Sequence, residues 1–197
     1  LKADQWDDLA RGLQRLPAEM LMIAGLAPPG QTVADLGTGT GLLLPFLSTF
    51  ADRVFAVDQS AAMLRRARKR AENAHLDNIE FVKSKMEELE GKISMCDAMT
   101  LHFVLHQVPS PPAALKAIST LLKPEGRLVI VDRSPHNDES ATEKYGSIWF
   151  GFNREQLSDW TADAGLVETH WSELPDPAPT SSGESLPLFV AAYSRRR

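Results

Sequence analysis

The chain has 197 residues, of which 43% are hydrophobic, and its formal net charge is −5. This length and composition suit one globular domain with a sizeable core, and the acidic balance argues against a nucleic-acid surface. The only cysteine, Cys96, excludes an internal disulfide, and its apolar surroundings in sequence predict a buried, inert thiol. No apolar run approaches the roughly 20 residues that a membrane span requires, and no signal peptide is visible. We therefore expect a cytoplasmic protein without nucleic-acid partners.

A glycine-rich turn follows the first predicted strand, residues 32–35. Three glycines at alternate positions leave the backbone free of Cβ atoms: Gly37, Gly39 and Gly41. Such a turn can adopt unusual dihedrals and let a ligand approach the main chain. A helix is predicted over residues 42–50, with an irregular first turn at Pro45. Because free amides at a helix N-terminus favour a polar or anionic group, the turn predicts a site for a nucleotide-type cofactor.

The spacing of the glycines separates two possible cofactors. The dinucleotide fingerprint is G-x-G-x-x-G, whereas this chain has G-x-G-x-G with Asp35 two residues before the first glycine. An acid at that position attracts a cation and repels a pyrophosphate. The pattern favours S-adenosylmethionine, a sulfonium with an α-amino group, and leaves an NAD-dependent dehydrogenase as the weaker alternative. Asp58 ends the next predicted strand, residues 53–57, where its carboxylate can accept hydrogen bonds from both ribose hydroxyls.

Strands and helices alternate along the rest of the chain. Ser60 is predicted to cap a helix that ends near residue 74, Pro111 opens a second helix, and Asn153 caps a third helix that Gly165 ends. Further strands are predicted over residues 79–82, 97–101, 128–131, 167–171 and 188–193. A long loop before the last strand allows that strand to run antiparallel to its neighbour. This alternation is typical of an α/β protein with a mostly parallel sheet.

The run Asp35-Leu36-Gly37-Thr38-Gly39-Thr40-Gly41 resembles motif I of the class I S-adenosylmethionine-dependent methyltransferases. Residues 56–64, 96–106 and 121–132 continue the resemblance in the family's order. The chain is most similar to the ubiquinone/menaquinone C-methyltransferase-like branch and to methyltransferase domains fused to ArsR-type regulators. The resemblance implies a Rossmann-like three-layer sandwich. Its seven-stranded sheet would be mostly parallel with the last strand antiparallel, in a single domain over residues 1–197.

The resemblance also assigns residues to S-adenosylmethionine, whose product would be S-adenosylhomocysteine. Asp35 and residues 37–41 would hold the methionine end of the cofactor, and Asp58 would bind the ribose. Gln59 and Met63 would flank the adenine, with Met86 on its other side. The expected cofactor-binding residues are Asp35, Gly37, Thr38, Gly39, Gly41, Asp58, Gln59, Met63, Met86, Leu101 and His102.

The chain departs from the family pattern at Lys85. The family commonly has an acid there that bonds the adenine amino group, and a charged lysine cannot accept a hydrogen bond. Two replacements stay open: Glu87 accepts that bond, or the backbone at Met86 and apolar packing hold the adenine.

Two histidines follow the fourth predicted strand and are the candidate catalytic residues. Ligands of open α/β sheets lie outside the carboxyl ends of the strands, so His102 is expected near the transferred methyl group. By the resemblance, His102 replaces a small residue, whereas His106 falls where the branch usually has histidine. A neutral imidazole can act as a general base. The alternatives are a loop-holding cap for His106 and a shape or cofactor contact for His102.

Two segments are expected to surround the site. In the resembling family the segment before motif I packs over the cofactor, so residues 1–29 would form an N-terminal helical cover. Trp6 would be either a lid residue or the anchor of that helix. Residues 134–153 are the expected acceptor-site insertion, and their aromatic side chains either wall an apolar pocket or dock the insertion on the core.

The resemblance implies methyl transfer to a small-molecule acceptor by in-line SN2 displacement, without a metal ion. The protein's task would be to align the reacting atoms and to exclude water. The alternative is a regulatory or sensing domain that binds S-adenosylmethionine or S-adenosylhomocysteine without turnover. The sequence does not identify the acceptor, and a homodimer stays open.

Overall fold

The computed structural model describes residues 23, 25–26, 32–137, 142, 146–174 and 187–196. Its strands are β1 (Thr32–Leu36), β2 (Arg53–Asp58), β3 (Ile79–Lys83), β4 (Cys96–His102), β5 (Leu122–Arg133), β6 (Leu166–Leu174) and β7 (Leu188–Arg195). The helices are α1 (Leu44–Leu47), α2 (Ala61–Asn73), α3 (Pro111–Ser119) and α4 (Arg154–Asp163), with 3-10 turns at Met86–Glu88 and Leu105–Gln107.

The strands form one seven-stranded sheet in the order β3-β2-β1-β4-β5-β7-β6. Strands β1 to β5 pair in parallel, whereas β7 runs antiparallel to both of its neighbours, β5 and β6. This arrangement confirms the predicted sheet with its reversed last strand. The chain builds outward from β1 to β3 and then returns to the other side of β1 as β4. A crevice opens at such a switch point, outside the carboxyl ends of the strands.

Both faces of the sheet are covered by helices. In β5, Leu128 and Ile130 point into one buried apolar cluster, which α3 and α4 cover. Val129 and Val131 point into a second cluster on the opposite face, which α1 and α2 cover. Strands buried on both faces are apolar without alternation, which explains the continuous run that predicted β5. The three-layer sandwich is therefore confirmed.

The helix caps follow the prediction, but the first helix does not. The Ser60 hydroxyl accepts a hydrogen bond from the Met63 amide at 3.3 Å, and the Asn153 side chain accepts one from the Gln156 amide at 2.8 Å. The helix predicted over residues 42–50 is wrong in extent, since α1 covers only Leu44–Leu47. Pro45 lacks an amide hydrogen and lies in the first turn, where that lack is tolerated.

Strand β5 begins earlier than predicted. Its pairing with β4 starts at Leu122 opposite Cys96 and, after an irregularity, resumes with Arg127 opposite Ala98. The turn residue Glu125 has a φ of +63° within this interruption. The chain therefore makes an irregular turn inside a longer strand, because β4 continues to pair with β5 on both sides of it.

Parts of the two segments expected around the site lie outside the described residues, among them Trp6 and Tyr145. The described end of the first segment packs on the domain: Ile23 is fully buried, and Arg127 Nη1 donates to the Leu26 carbonyl at 2.8 Å. In the second segment, Trp149 and Phe152 pack against Trp160, with ring centroids 5.5 and 6.0 Å apart respectively. These two aromatic residues therefore dock on the core.

Cys96 is fully buried, and burial followed by the charge of Asp97 raises the pKa of its thiol to about 12. The predicted burial of the thiol is confirmed. Within the described ranges, no helix has both the length and the apolar character needed to cross a membrane.

Candidate active site

The glycine turn between β1 and α1 has a left-handed backbone at each glycine. Gly37, Gly39 and Gly41 have φ angles of +72°, +56° and +77°. A Cβ on Gly37 would lie 2.3 Å from Cγ2 of Val104, and one on Gly41 would lie 2.8 Å from Cδ1 of Leu44. The dihedrals therefore favour glycine at all three positions, and the close packing of the loop after β4 also favours it at Gly37. The predicted unusual dihedrals are confirmed.

The amides of this turn are used within the protein. Gly37 and Thr38 both donate to the Val57 carbonyl, at 2.8 and 2.9 Å, and Gly41 donates to the Thr38 carbonyl at 2.9 Å. The Gly39 amide donates to Asp58 Oδ2 at 2.9 Å. These four amides are therefore satisfied within the protein, and the adjacent end of β2 accepts three of them. A turn built this way offers a pyrophosphate little.

Asp58 holds the turn from the end of β2. Its Oδ2 accepts the Gly39 amide and its Oδ1 accepts the Ser60 amide at 2.7 Å. Burial raises the pKa of Asp58, and the two backbone hydrogen bonds oppose this rise. A carboxylate has about four lone-pair sites, so two directions stay available for hydroxyl donors.

Asp35 lies at the end of β1 with only 2% of its surface exposed. The Thr100 hydroxyl, on the neighbouring strand β4, donates to Asp35 Oδ1 at 2.9 Å. Burial raises the pKa of Asp35, while hydrogen bonds from Thr38 and Thr100 oppose the rise. A buried carboxyl with a shifted pKa beside the crevice is typical of functional sites.

A cavity of about 650 Å³ opens beside the glycine turn. Six of the predicted cofactor-binding residues line it: Gly37, Gly39, Asp58, Gln59, Met63 and Met86. Five others lie outside its lining: Asp35, Thr38, Gly41, Leu101 and His102. The structure thus brings the glycine turn, the end of β2, the first turn of α2 and the 3-10 turn after β3 around one space.

The opposite wall comes from the segment after β4, which the sequence did not identify as lining. Its members in the lining are Phe103, Val104, Gln107, Val108 and Pro109. Phe103 and Val104 fall within the family-like block 96–106, whereas no motif marks Gln107, Val108 and Pro109. Their placement after the carboxyl end of a central strand was the available signal. Phe103 has a φ of +53°, a strained backbone that turns the chain sharply into this wall.

The third wall of the cavity contains Lys85, where the chain departs from the family pattern. Lys85, Met86 and Glu87 all line the cavity, and the Lys85 ammonium lies 4.0 Å from a Glu88 carboxylate oxygen. The neighbouring Lys92 ammonium donates to the Ser84 hydroxyl at 2.9 Å. Glu87 and Met86, the residues named in the two expected replacements for the missing acid, therefore both line the cavity.

The two histidines differ in environment. His106 is 1% exposed; its Nδ1 lies 2.7 Å from Asp132 Oδ1, and its amide donates to Asp132 Oδ2 at 3.2 Å. Its carbonyl accepts the amides of Ile148 and Trp149 at 2.8 and 3.0 Å. His106 thus ties three segments together, as the loop-holding alternative expects. His102 is half-buried at the end of β4, with its ring edge-on to Phe103 at 4.7 Å.

Asp132 is fully buried beside His106. Burial alone would raise its pKa, but the charge of His106 and hydrogen bonds from His106 and from the Arg133 amide lower the pKa overall. The pair is therefore held with an ionised carboxylate. Within the described part of the chain, no three His, Cys, Asp or Glu side chains cluster in a way that could hold a metal ion.

Comparison with known sequences gives consistent matches. The methyltransferase domain family matches residues 34–130. The ubiquinone/menaquinone biosynthesis C-methyltransferase of Vibrio parahaemolyticus is 32% identical over 154 residues, which cover 76% of this chain and 60% of the relative. The corresponding protein of Vibrio campbellii is 34% identical over 138 residues, covering 68% and 53%. The chain therefore spans only about half to three fifths of the length of these curated relatives.

Solved structures share the fold. An S-adenosylmethionine-dependent methyltransferase from Aquifex aeolicus is 23% identical, with a TM-score of 0.69 over 90% of this chain and 88% of the other. The [4+2]-cyclase SpnF is 15% identical, with a TM-score of 0.75 over 91% of this chain and 80% of the other. The second likeness illustrates that one fold carries different activities, so the reaction has to be inferred from the site.

Proposed function

The chain belongs to the class I S-adenosylmethionine-dependent methyltransferases, enzymes whose cofactor is S-adenosylmethionine, and on that premise we propose that it methylates a small-molecule acceptor. The main support is the cavity at the switch point, where the glycine turn and Asp58 meet Met63 and Met86. A cavity of about 650 Å³ lies within the usual range for small-molecule sites. The acceptor would lie against the wall that follows β4.

The residues around the cavity fit the cofactor. In this proposal Asp58 accepts the ribose hydroxyls with the lone pairs that Gly39 and Ser60 leave available. Met63 and Met86 flank the adenine, and Asp35 attracts the positively charged methionine end. When bound, S-adenosylmethionine supplies an electrophilic methyl group for in-line displacement. The protein's own contribution is to align the acceptor and to exclude water from the cavity.

Proton removal from the acceptor is part of the same proposal. His102 is the stronger candidate, because it is half-buried at the carboxyl end of β4 beside Phe103, which lines the cavity. His106 is a weaker candidate, because its Nδ1 is engaged by Asp132 and its ring is buried. The non-catalytic alternative is not favoured, since the curated relatives are named as methyltransferases. A cytoplasmic location is part of the proposal.

Calorimetric titration with S-adenosylmethionine, S-adenosylhomocysteine and NAD tests the cofactor side. We expect micromolar affinity for the first two ligands and no response to NAD. Asp58→Ala should weaken binding at least tenfold, whereas Asp52→Ala, an exposed acid before β2, should leave it unchanged. Unchanged affinity in Asp58→Ala would contradict the ribose assignment. Release of S-adenosylhomocysteine from a panel of phenols, amines and thiols then tests turnover, and binding without any release would favour a sensing domain.

A further inference from the structure

We infer that Thr100 is a positioning residue for the cofactor, whose hydroxyl holds the Asp35 carboxylate in its charged form and in one orientation to bind the α-ammonium group at the methionine end. This inference rests on the proposed function, since it concerns how the proposed site holds S-adenosylmethionine. It assigns a role to a side chain that lies outside the cavity lining and was not among the predicted site residues.

Thr100 and Asp35 lie opposite each other on neighbouring parallel strands. Thr100 of β4 pairs in register with Asp35 of β1, near the carboxyl ends where the crevice opens. Both side chains lie on one face of the sheet, because the residues two positions earlier, Val33 and Ala98, belong to the same apolar cluster. The Thr100 hydroxyl donates to Asp35 Oδ1 at 2.9 Å. Gly37, two residues after Asp35, lines the cavity, so the contact lies directly behind the glycine turn.

The carboxylate, and not the packing, explains a threonine at this position. Thr100 is 1% exposed, and its neighbours on the same face of the sheet, Ala98 and Val129, are apolar. Valine has nearly the same shape and would suit such surroundings, whereas a buried hydroxyl needs a hydrogen-bond partner. Its partner is Asp35, which is itself 2% exposed. A buried carboxylate in turn requires donors, so the two side chains satisfy each other.

The charge of Asp35 depends on the groups that face it. Burial raises the pKa of its carboxyl, and hydrogen bonds from Thr38 and Thr100 oppose this rise. The charge of His102, two positions further along β4, also lowers the pKa, whereas the charge of Asp58 raises it. Removal of the Thr100 hydroxyl therefore favours the protonated acid, which attracts a cation less than the carboxylate does.

Calorimetry with two nucleosides that differ at the methionine end tests the inference. S-adenosylhomocysteine carries the α-ammonium group, whereas 5′-methylthioadenosine keeps the adenine, ribose and thioether but lacks the amino-acid end. We expect S-adenosylhomocysteine to bind the unchanged protein about tenfold more tightly at pH 7, because only it can donate a charge-assisted hydrogen bond to Asp35. Thr100→Val should lower this affinity ratio about threefold or more while 5′-methylthioadenosine binding is retained. A merely structural loss would weaken the binding of both nucleosides together.

Further variants and a pH series separate the hydroxyl from packing. Thr100→Ala also lacks the hydroxyl and should match Thr100→Val, whereas Thr100→Ser keeps it and should retain most of the ratio. Thr161→Val is the same change at a threonine of α4 that is also 1% exposed and lies outside the cavity lining, so it should leave the ratio unchanged. Between pH 7 and pH 5 the ratio should fall more in Thr100→Val than in the unchanged protein, because the pKa of Asp35 is higher without the donor.

An unchanged ratio in Thr100→Val or Thr100→Ala, an equal loss in Thr100→Ser, or the same fall with pH in Thr100→Val and the unchanged protein overturns the inference. Equal affinities of the unchanged protein for the two nucleosides overturn it as well. Failure of the unchanged protein to bind either nucleoside would instead overturn the proposed function.

Discussion

Gly37 illustrates how a single absent Cβ shapes the site. Gly37→Ala should lower the free energy of unfolding by about 2–5 kcal/mol, because it adds left-handed strain of about 1–2 kcal/mol and overpacking against Val104 of about 1–3 kcal/mol. Gly91 is the matched control, because its φ is +74° and nothing lies within 4 Å of the position that a Cβ would take. Gly91→Ala should therefore lower the free energy of unfolding only by the left-handed strain. Urea unfolding measures both. Equal decreases in the free energy of unfolding for Gly37→Ala and Gly91→Ala would exclude the steric contribution from Val104.

The charged form of Asp35 is expected to lower the free energy of unfolding while it contributes to S-adenosylmethionine binding. Its folded pKa is raised, so its charged form is less favourable in the folded chain than in the unfolded chain. The cost is absent well below the unfolded pKa of about 3.9 and fully present above the folded pKa. Asp35→Asn should therefore raise the free energy of unfolding at pH 7, an advantage that disappears toward pH 3, while S-adenosylmethionine affinity falls. Urea titrations at the two pH values check this, and a destabilised variant at pH 7 would contradict it.

At the scale of elements, the His106–Asp132 pair joins the 3-10 turn after β4 to the end of β5. Asp132→Ala should lower the free energy of unfolding by about 3–5 kcal/mol, because it removes one member of a buried pair. Lys123→Ala is the control: it breaks an ion pair with Asp97 whose lysine is 43% exposed, and should cost about 1 kcal/mol or less. Thermal or urea unfolding separates the two, and similar losses would argue against a buried pair that holds the turn.

The same pair gives a pH dependence of the opposite sign to that of Asp35. The folded pKa of Asp132 is lowered, so its contribution is present above the unfolded pKa of about 3.9 and lost as pH falls through the folded value. The unchanged protein should therefore lose more stability than Asp132→Asn between pH 5 and pH 2. Urea unfolding across this range measures the difference. Parallel curves for both proteins would contradict the assignment.

At the scale of the whole molecule, cofactor binding should stabilise the fold, because only the folded chain gathers the ends of β1 and β2 with α2 around the cavity. S-adenosylhomocysteine at one hundred times its dissociation constant should raise the free energy of unfolding by about 2.7 kcal/mol. At the same ligand concentration Asp58→Ala, with affinity at least tenfold weaker, should show about half of this gain or less. The shift of the urea midpoint with ligand checks this, and no shift in the unchanged protein would contradict a preformed site.

Much of the architecture could be predicted because its signals are local. The caps at Ser60 and Asn153 each depend on a residue three positions away. The glycines of the turn indicate positive φ angles at their own positions. The apolar run in β5 indicates a strand that is buried on both faces of the sheet. The position of Asp58 at the end of a strand follows from the same pattern.

The sequence by itself therefore determined the order of strands and helices, the glycine turn and the family resemblance. Only the tertiary structure decided which side chains and backbone groups come into contact. His106 bonds Asp132 across 26 positions, and Thr100 bonds Asp35 across 65. The Val57 carbonyl accepts the amides of Gly37 and Thr38, and Gln107, which no motif marks, lines the cavity. Local propensity acts over a few residues, whereas these encounters depend on the register of parallel strands whose sequences are far apart.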